Sequence, residues 1–266
     1  MPQVAWPRMT KVVRRLLIAN AAVFVASFLL FFFAEEDWRR LELVLGLRPA
    51  AWRGSFPILP AWQLLTYGFL HSVTDIFHVL GNLLMLYFFG TMLEEILGSR
   101  RFLVAYLSAQ LVGALFFLVP GLFGSGAIPV VGASGAVYGV MIAVATMRPN
   151  QTVFLLFIPV TMRVLALVIL AITVFGAALA WKGGGDGVAH LVHLGGIAYG
   201  YLAVKTGLLF RDPVEALERR RAEREVERGE RDEQRMDRLL EKIHREGMAA
   251  LTRSEREFLK RISSRR

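Results

Sequence analysis

Long apolar runs separated by short polar connections make up most of residues 1–210. A membrane-spanning helix needs about 20 consecutive, mostly apolar residues, and several runs approach that length. The pattern predicts an all-α polytopic membrane protein: a six-transmembrane-helix bundle with a short helical C-terminal tail. We assign residues 1–15 to an N-terminal segment, 16–210 to the membrane domain and 211–266 to the tail. The predicted spans cover residues 16–34, 76–97, 102–120, 132–147, 164–181 and 188–210.

Two segments do not fit a simple span. The large first loop, residues 35–75, is rich in tryptophan, leucine and proline. Tryptophan rings favour the membrane–water interface, so we expect this loop to lie in the outer interface. Residues 153–160 are apolar but are interrupted by Pro159, and we expect them to dip into the bilayer or lie on its surface.

Charge is concentrated in the tail, because residues 211–266 hold 17 of the 31 lysines and arginines and 14 of the 22 acidic residues. The whole chain is 55% hydrophobic with a mean hydropathy of +0.48, which is typical of a membrane protein. The net charge of +9 does not indicate nucleic-acid binding, since cytoplasmic loops of membrane proteins normally carry excess lysine and arginine. The absence of cysteine excludes disulfides, thiolate catalysis and cysteine-ligated zinc.

Most of the basic residues closest to the predicted spans, Lys182 excepted, fall on one side. They precede the first span, follow the second and fourth, precede the fifth and fill the tail, whereas the first opposite connection carries Glu35, Glu36 and Asp37. The positive-inside rule therefore places both termini in the cytoplasm. The first apolar stretch is too long for the core of a cleaved signal, so we interpret it as a transmembrane helix. An arginine-rich, cysteine-free chain suits the inner (plasma) membrane of a bacterium, and an organelle membrane stays open as the alternative.

Four polar side chains lie close to the outer ends of three predicted spans. His78 and Asn82 begin the second span, Ser134 begins the fourth, and His193 lies about a turn and a half into the sixth. With a rise of about 1.5 Å per residue, all four lie within about 10 Å of the outer helix ends. Polar residues inside a membrane are costly and indicate a functional site. A hydroxyl, two imidazoles and an amide at one depth are the groups of a serine hydrolase.

Glycine spacing indicates that the fourth and sixth spans pack closely. Gly135 and Gly139, like Gly196 and Gly200, are four residues apart, and such pairs let helix backbones approach in lipid. If the two pairs meet, Ser134 and one imidazole come within hydrogen-bond reach, about 3 Å. Each feature alone has an ordinary explanation, because GxxxG also occurs wherever two membrane helices pack. His190 lies one turn before His193 and, on spacing alone, is an equal candidate for the base.

Three motifs resemble those of rhomboid intramembrane serine proteases. They are Gly132-Ala-Ser-Gly-Ala-Val-Tyr-Gly139, His78-Val-Leu-Gly-Asn82 and His193-Leu-Gly-Gly-Ile-Ala-Tyr-Gly200, and residues 94–101 resemble the family's turn after the second core helix. The similarity covers about residues 60–205 in the family's order. Two departures stand out: the family's Trp-Arg pair in the first loop reads Trp62-Gln63, and His71 precedes His78 by seven residues where some members have five.

The resemblance implies a Ser–His dyad that cleaves single-span membrane proteins near the outer face, with no cofactor and no metal. Ser134 is then the nucleophile, and His193 is the base because the downstream glycines match the family's spacing. Tyr138 packs on the imidazole, and Gly132, Gly135, Gly196 and Gly200 support the helix contact. His78, Asn82 and the Ser134 N–H resemble the oxyanion hole. The roles of His71 and His190 stay open.

Two other functions compete with the protease. A rhomboid-like protein that binds membrane clients without cutting them usually lacks the serine or histidine, and this chain keeps both. An ion or proton transporter is disfavoured because no predicted span carries an acidic residue in its middle.

In the tail, apolar residues recur at helical spacing over 239–262, and Thr252 with Glu255 fits a capping box. This segment is expected to dock a partner, to contact the lipid surface, or simply to solubilise the chain.

Overall fold

The computed structural model describes residues 8–55, 57–123, 129–155, 158–183, 189–211 and 213–263. The chain divides into two compact units, residues 1–211 and 212–266. We call them the membrane unit and the tail unit. The residue predicted to begin the sixth span, Val188, lies outside the described residues.

Four helices among the described residues are long and apolar enough to cross a bilayer. Most of their surface faces outward, since only 11–44% of each apolar window is buried inside the protein. The chain is therefore an integral, polytopic, helical membrane protein. The four are Lys11–Phe33 (α1), Ile76–Leu97, Ser99–Gly121 (α7) and Met162–Trp181 (α9). The second consists of α5 (Ile76–Met85), a π-helical turn (Leu86–Gly90) and α6 (Thr91–Leu97).

Two of the six predicted spans are shorter than a bilayer is thick. Ser134–Met147 (α8) has 14 residues and His190–Lys205 (α10) has 16, followed by a 3₁₀ turn at Leu208–Phe210. At about 1.5 Å per residue these helices measure about 21 and 24 Å, against a hydrocarbon core of about 30 Å.

Helix α8 forms the centre of the membrane unit, with ten of its 14 residues buried. It packs against α10, α7, α9 and the π-helical turn. Such burial is possible because α8 consists mainly of glycine, alanine and valine, which let neighbouring helices approach from several directions. Burial on all sides also explains why this helix shows no amphipathic pattern in the sequence.

A buried carboxylate holds the start of α1. Glu94 of α6 is 4% exposed and accepts hydrogen bonds from the backbone N–H groups of Val12 (3.0 Å) and Val13 (2.9 Å) and from the hydroxyls of Thr10 and Ser99. It therefore satisfies orphan donors in the first turn of α1, where a negative charge also favours the helix dipole.

The large first loop contains three short helices rather than an extended connection. Trp38 is buried and Trp62 is about half exposed, at 48%. The helices are Glu35–Leu45 (α2), Pro49–Gly54 (α3) and Gln63–Thr66 (α4).

The apolar segment at 153–160 is an antiparallel hairpin of Thr152–Leu155 (β1) and Ile158–Thr161 (β2). The prediction of an all-α chain misses this element. Val153 and Val160 pair across the strands and pack on the core, whereas Phe154 and Ile158 are exposed. This alternation has the period of two that is typical of a strand.

The tail unit is a helix that ends at Glu246, followed after a turn by a short helix folded back on it. Leu239, Leu251 and Phe258 form its buried cluster. The predicted capping box is present, since Glu255 accepts from the Thr252 N–H (2.7 Å) and the Glu255 N–H donates to the Thr252 hydroxyl (3.3 Å). The elements are Pro213–Glu246 (α11), a 3₁₀ turn at Met248–Ala250, and Arg253–Ser263 (α12).

Candidate active site

Ser134 is the first residue of α8, and a glycine turn delivers it there. Gly132 has φ +128°, a conformation that L side chains rarely adopt. Its N–H donates to the Tyr67 carbonyl (2.9 Å), which fixes the turn to the first loop. The Ser134 side chain is half-buried, and its backbone N–H lies among the free donors of a helix N-terminus.

His193 of α10 reaches the serine directly. Its Nε2 lies 2.6 Å from the Ser134 Oγ, within hydrogen-bond distance, and the imidazole is 8% exposed. A hydroxyl hydrogen-bonded to an imidazole nitrogen is the arrangement of an activated nucleophile and its base.

The predicted glycine pairs meet between α8 and α10. A Cβ placed on Gly196 would overlap the carbonyl oxygen of Gly135, and a Cβ on Gly200 would overlap that of Gly139. Only a residue without a side chain allows this approach. The contacts continue directly below the Ser134–His193 hydrogen bond and set the separation of the two helices.

Tyr138, one turn after Ser134, packs against the imidazole of His193. The ring centroids are 4.4 Å apart and the planes are inclined by 38°. A stacked ring holds an imidazole in one orientation through contact area and quadrupole interactions.

The structure separates the two histidines that spacing alone leaves equivalent. His190 is 7% exposed and packs on α9, where a Cβ on Gly176 would overlap its ring. Its ring stands edge-on to His193, with centroids 6.1 Å apart. The hydrogen bond to Ser134 belongs to His193.

His78 lies on the other side of the serine turn. Asp75 caps α5 by accepting from the N–H groups of Phe77 (3.0 Å) and His78 (3.3 Å). A Cβ on Gly132 would lie 2.7 Å from the His78 Nε2 and 3.7 Å from the Ser134 Oγ, so both groups border the same small space. The glycine keeps that space open.

Asn82 is predicted to lie at the same depth as Ser134, and its amide donates one hydrogen bond within its own helix. Its Nδ2 donates to the His78 carbonyl at 2.9 Å, and the residue is 7% exposed. The amide therefore lies one turn below His78 on the same face of α5.

His71 is fully buried beside His78. The ring centroids are 5.3 Å apart and the planes are inclined by 63°. Neither ring nitrogen of His71 makes a hydrogen bond of ordinary geometry among the described residues. Burial, reinforced by the neighbouring imidazole of His78, lowers the pKa of His71 to about 4. The imidazole is therefore neutral at physiological pH.

The first loop is tied to the turn that carries Ser134. Leu47 and Val130 exchange two backbone hydrogen bonds of 3.0 and 2.9 Å. Tyr67 is fully buried, its hydroxyl donates to the Gln110 carbonyl (2.8 Å), and burial raises its pKa well above the ordinary range. Gln110 in turn donates to the Leu65 carbonyl (2.6 Å).

Gln63 takes the position where many family members have arginine. Its Oε1 accepts from the Arg48 N–H (3.2 Å) and the Trp52 Nε1 (3.1 Å), and its Nε2 donates to the Val44 carbonyl (3.1 Å). One buried amide thus joins α2, α3 and α4. The sequence carried no periodic signal for this role or for Tyr67 and Gln110, because each acts through backbone groups distant in the chain.

Two family models match different parts of the chain. A family described as "Rhomboid domain" matches residues 60–210, and one described as "Family of unknown function (DUF6576)" matches residues 222–265. The first match covers more than half of the chain.

Curated relatives agree with the first match. RHOMBOID-like protein 12, mitochondrial, of Arabidopsis thaliana is 30% identical over 207 residues, which is 72% of this chain and 57% of that protein. The presenilin-associated rhomboid-like protein, mitochondrial, of Rattus norvegicus is 32% identical over 140 residues (50% and 35%). The rhomboid protease GluP of Bacillus subtilis is 32% identical over 143 residues (53% and 25%). The chain thus spans between a quarter and somewhat over half of these relatives, and it belongs to the rhomboid family of membrane proteins.

Proposed function

We propose that the chain is an intramembrane serine endopeptidase that cleaves single-span membrane proteins near the outer face of the bilayer. The observation that supports this most directly is the 2.6 Å contact between the His193 Nε2 and the Ser134 Oγ. It occurs in a chain of a family that includes a named protease, GluP.

The reaction follows from the two groups. The Ser134 Oγ attacks the scissile carbonyl carbon while the His193 Nε2 accepts the hydroxyl proton, giving a tetrahedral oxyanion. When the C–N bond breaks, His193 donates that proton to the leaving amine, and an acyl ester remains on Ser134. Water then attacks the ester with His193 again as base, which releases a carboxylic acid and restores the serine hydroxyl. Stacking on Tyr138 holds the imidazole throughout.

The oxyanion is stabilised by donors at the start of α8 and α5. The Ser134 N–H is at a helix N-terminus, where the dipole favours negative charge. His78 borders the space next to Gly132, and Asn82 lies one turn below it. Removing one such donor costs about 10²–10³ in turnover in serine proteases.

The length of α8 supports a position of Ser134 inside the bilayer. If the Met147 end of this 14-residue helix is at the inner surface, its other end stops about 9 Å short of the outer one. We propose six membrane segments, with α8 and α10 enclosed by the longer helices. The basic residues before α1, after α6 and around the hairpin support a cytoplasmic position of both termini.

We propose a bacterial inner membrane as the location. Several relatives carry mitochondrial names and one comes from Bacillus subtilis. Membrane fractionation of the source cells tests this, because recovery in an organelle fraction would exclude it.

The substrate class follows from the depth of the serine. A stable helix buries its amides in hydrogen bonds, so Ser134 can attack only a segment that unwinds readily. Glycine or proline near the outer end of a single transmembrane helix provides such a segment.

The test is cleavage of a single-span reporter by purified chain in proteoliposomes. Ser134→Ala and His193→Ala are expected to abolish cleavage, while His244→Ala and Ser254→Ala, in the tail unit, serve as matched controls that keep it. Persistent cleavage by both site variants would exclude the dyad. Labelling of the chain by a fluorophosphonate, lost in Ser134→Ala, separates the protease from a client-binding protein, which would bind the reporter without being labelled.

A further inference from the structure

Helix α11 of the tail unit carries six arginines on one face. They recur at alternating intervals of three and four residues, and all six are exposed. At about 1.5 Å per residue they form a line about 26 Å long. We call this line the arginine stripe: Arg221, Arg224, Arg228, Arg231, Arg235 and Arg238.

The opposite face of α11 is acidic. With about 100° between successive residues, Glu230, Glu233, Asp237 and Glu241 lie roughly across the helix from the stripe. All four are exposed. The six arginines therefore share one face, although Asp232 and Glu227 lie at its two edges.

This arrangement works against the stability of the helix by itself. Solvated helices gain from opposite charges four residues apart, whereas like charges at that spacing repel. Here Arg224 precedes Arg228 and Arg231 precedes Arg235 at that spacing. Within the described part of the tail, the stripe's one ion pair is Arg231 with Glu227 (3.1 Å). Arg235 lies over the Phe258 ring of α12, 4.5 Å from its centroid. The charges of Arg221, Arg224, Arg228 and Arg238 make no ion pair among the described tail residues, so they can meet an external anionic surface.

The chain itself favours a membrane as that surface. The stripe begins 16 residues after Lys205, where α10 ends, so the bilayer is present at a high effective concentration. No aromatic residue occurs between 211 and 257 to stack on nucleobases. Leu239 and Met236 of α11 pack with α12, and the exposed apolar residues Val226 and Leu240 are isolated, which leaves electrostatic attraction at the level of the headgroups.

We propose that the arginine stripe binds the phosphate groups of anionic lipids at the surface of the bilayer that holds the membrane unit. Such binding lays α11 along the surface with its acidic face toward water. It does not depend on the proposed peptidase activity. Juxtamembrane clusters of four to eight basic residues commonly act in this way, and salt weakens them.

The experiment uses the full chain in vesicles, with a donor dye on Val226→Cys and an acceptor dye on lipid headgroups. The chain has no native cysteine, and Val226 is 61% exposed, so labelling is selective. Energy transfer is expected to be higher when phosphatidylglycerol is mixed into phosphatidylcholine, and the increase is expected to disappear at high salt.

Three further variants in the labelled chain identify the face responsible. R221Q/R224Q/R228Q/R231Q, which leaves Arg235 on the Phe258 ring, is expected to reduce the phosphatidylglycerol-dependent association at least tenfold. The corresponding four-lysine variant, which keeps the charge, retains it. E230Q/E233Q/D237N/E241Q changes as many charges on the other face and also retains it.

Energy transfer that ignores lipid charge would overturn the proposal, and so would equal loss in the arginine and acidic-face variants. A response of the donor to added RNA, with none to phosphatidylglycerol, would assign the stripe to nucleic acid instead.

Discussion

Gly196 of α10 lies against the carbonyl oxygen of Gly135 in α8, with no room for a Cβ between them. Gly135 follows Ser134 directly, and Gly196 follows His193 by three residues, so this contact fixes the distance between the two reacting groups. The Ser134 Oγ and the His193 Nε2 come within 2.6 Å of each other because the two helix backbones approach so closely at Gly135 and Gly196.

Gly196→Ala is therefore expected to lower both activity and stability. The added methyl group must push α10 away from α8, at a cost of about 1–3 kcal/mol. The increased separation is expected to reduce turnover even where the protein stays folded. Reporter cleavage and the thermal midpoint in detergent measure the two effects. Gly81→Ala is the matched control, because nothing lies within 4 Å of a Cβ there. Equal effects of the two changes would contradict the packing argument.

Tyr138 tests whether stacking on His193 contributes to turnover. Tyr138→Phe keeps the ring, so its activity is expected to stay close to that of the unmodified chain. Tyr138→Ala loses a ring contact worth about 0.5–1.5 kcal/mol, which corresponds to a decrease in kcat of about 2- to 13-fold. Turnover numbers for the two variants, measured at saturating reporter, make the comparison. If Phe and Ala reduce kcat equally, the hydroxyl matters more than the ring.

Much of the membrane unit could be predicted because bilayers impose a simple length and polarity rule. The second predicted span, 76–97, agrees with the structure at both ends, and the third and fifth agree within three residues. The meeting of Gly135 with Gly196 also followed from spacing, since close helix contacts in lipid require small residues. His193 could be distinguished from His190 only through the family's glycine pattern, because both face the protein interior.

The hairpin at 152–161 and the anchoring of the first loop could not be predicted in the same way. Apolar periodicity over eight residues does not separate a short strand from a buried helical turn. Gln63 works through carbonyl and N–H groups of residues 11 to 19 positions away, and such contacts leave no pattern in one sequence. Gln63 stands where many family members have arginine, and its amide both accepts and donates hydrogen bonds.

Gln63→Ala is expected to loosen the first loop. The change removes the acceptor of the Arg48 N–H and of the Trp52 Nε1, and each buried group left unpaired costs about 1–3 kcal/mol. Faster hydrogen exchange over 43–52 and a lower thermal midpoint are the expected readouts. Trp62→Phe is the control, because it removes a single bond to the Val44 carbonyl from a half-exposed side chain. An unchanged exchange rate in Gln63→Ala would show that the loop is held elsewhere.

His71 is expected to make the folded state less stable as the pH falls from about 6.5 to about 4. Its pKa is lowered to about 4 by burial and by His78, whereas an unfolded histidine titrates near 6.5. Between these values the unfolded chain binds a proton at His71 that the folded chain does not, so acidification favours unfolding by about 1.4 kcal/mol per pH unit. Below about pH 4 both states are protonated and the contribution stops changing. Above about 6.5 both are neutral and it is likewise constant.

His71→Phe removes this titration while keeping a ring beside His78. The variant's free energy of unfolding, measured from pH 4 to 7 in a denaturing detergent series, is therefore expected to decrease less steeply with acid than that of the unmodified chain. Leu70→Ala, at a neighbouring position that is 2% exposed, controls for the loss of packing, because it lowers stability by a similar amount at every pH. If the free energy of unfolding depended on pH equally in His71→Phe and in the unmodified chain, His71 would take up its proton equally in the folded and unfolded states. That result would contradict a lowered pKa of His71 and hence a neutral imidazole packed on His78.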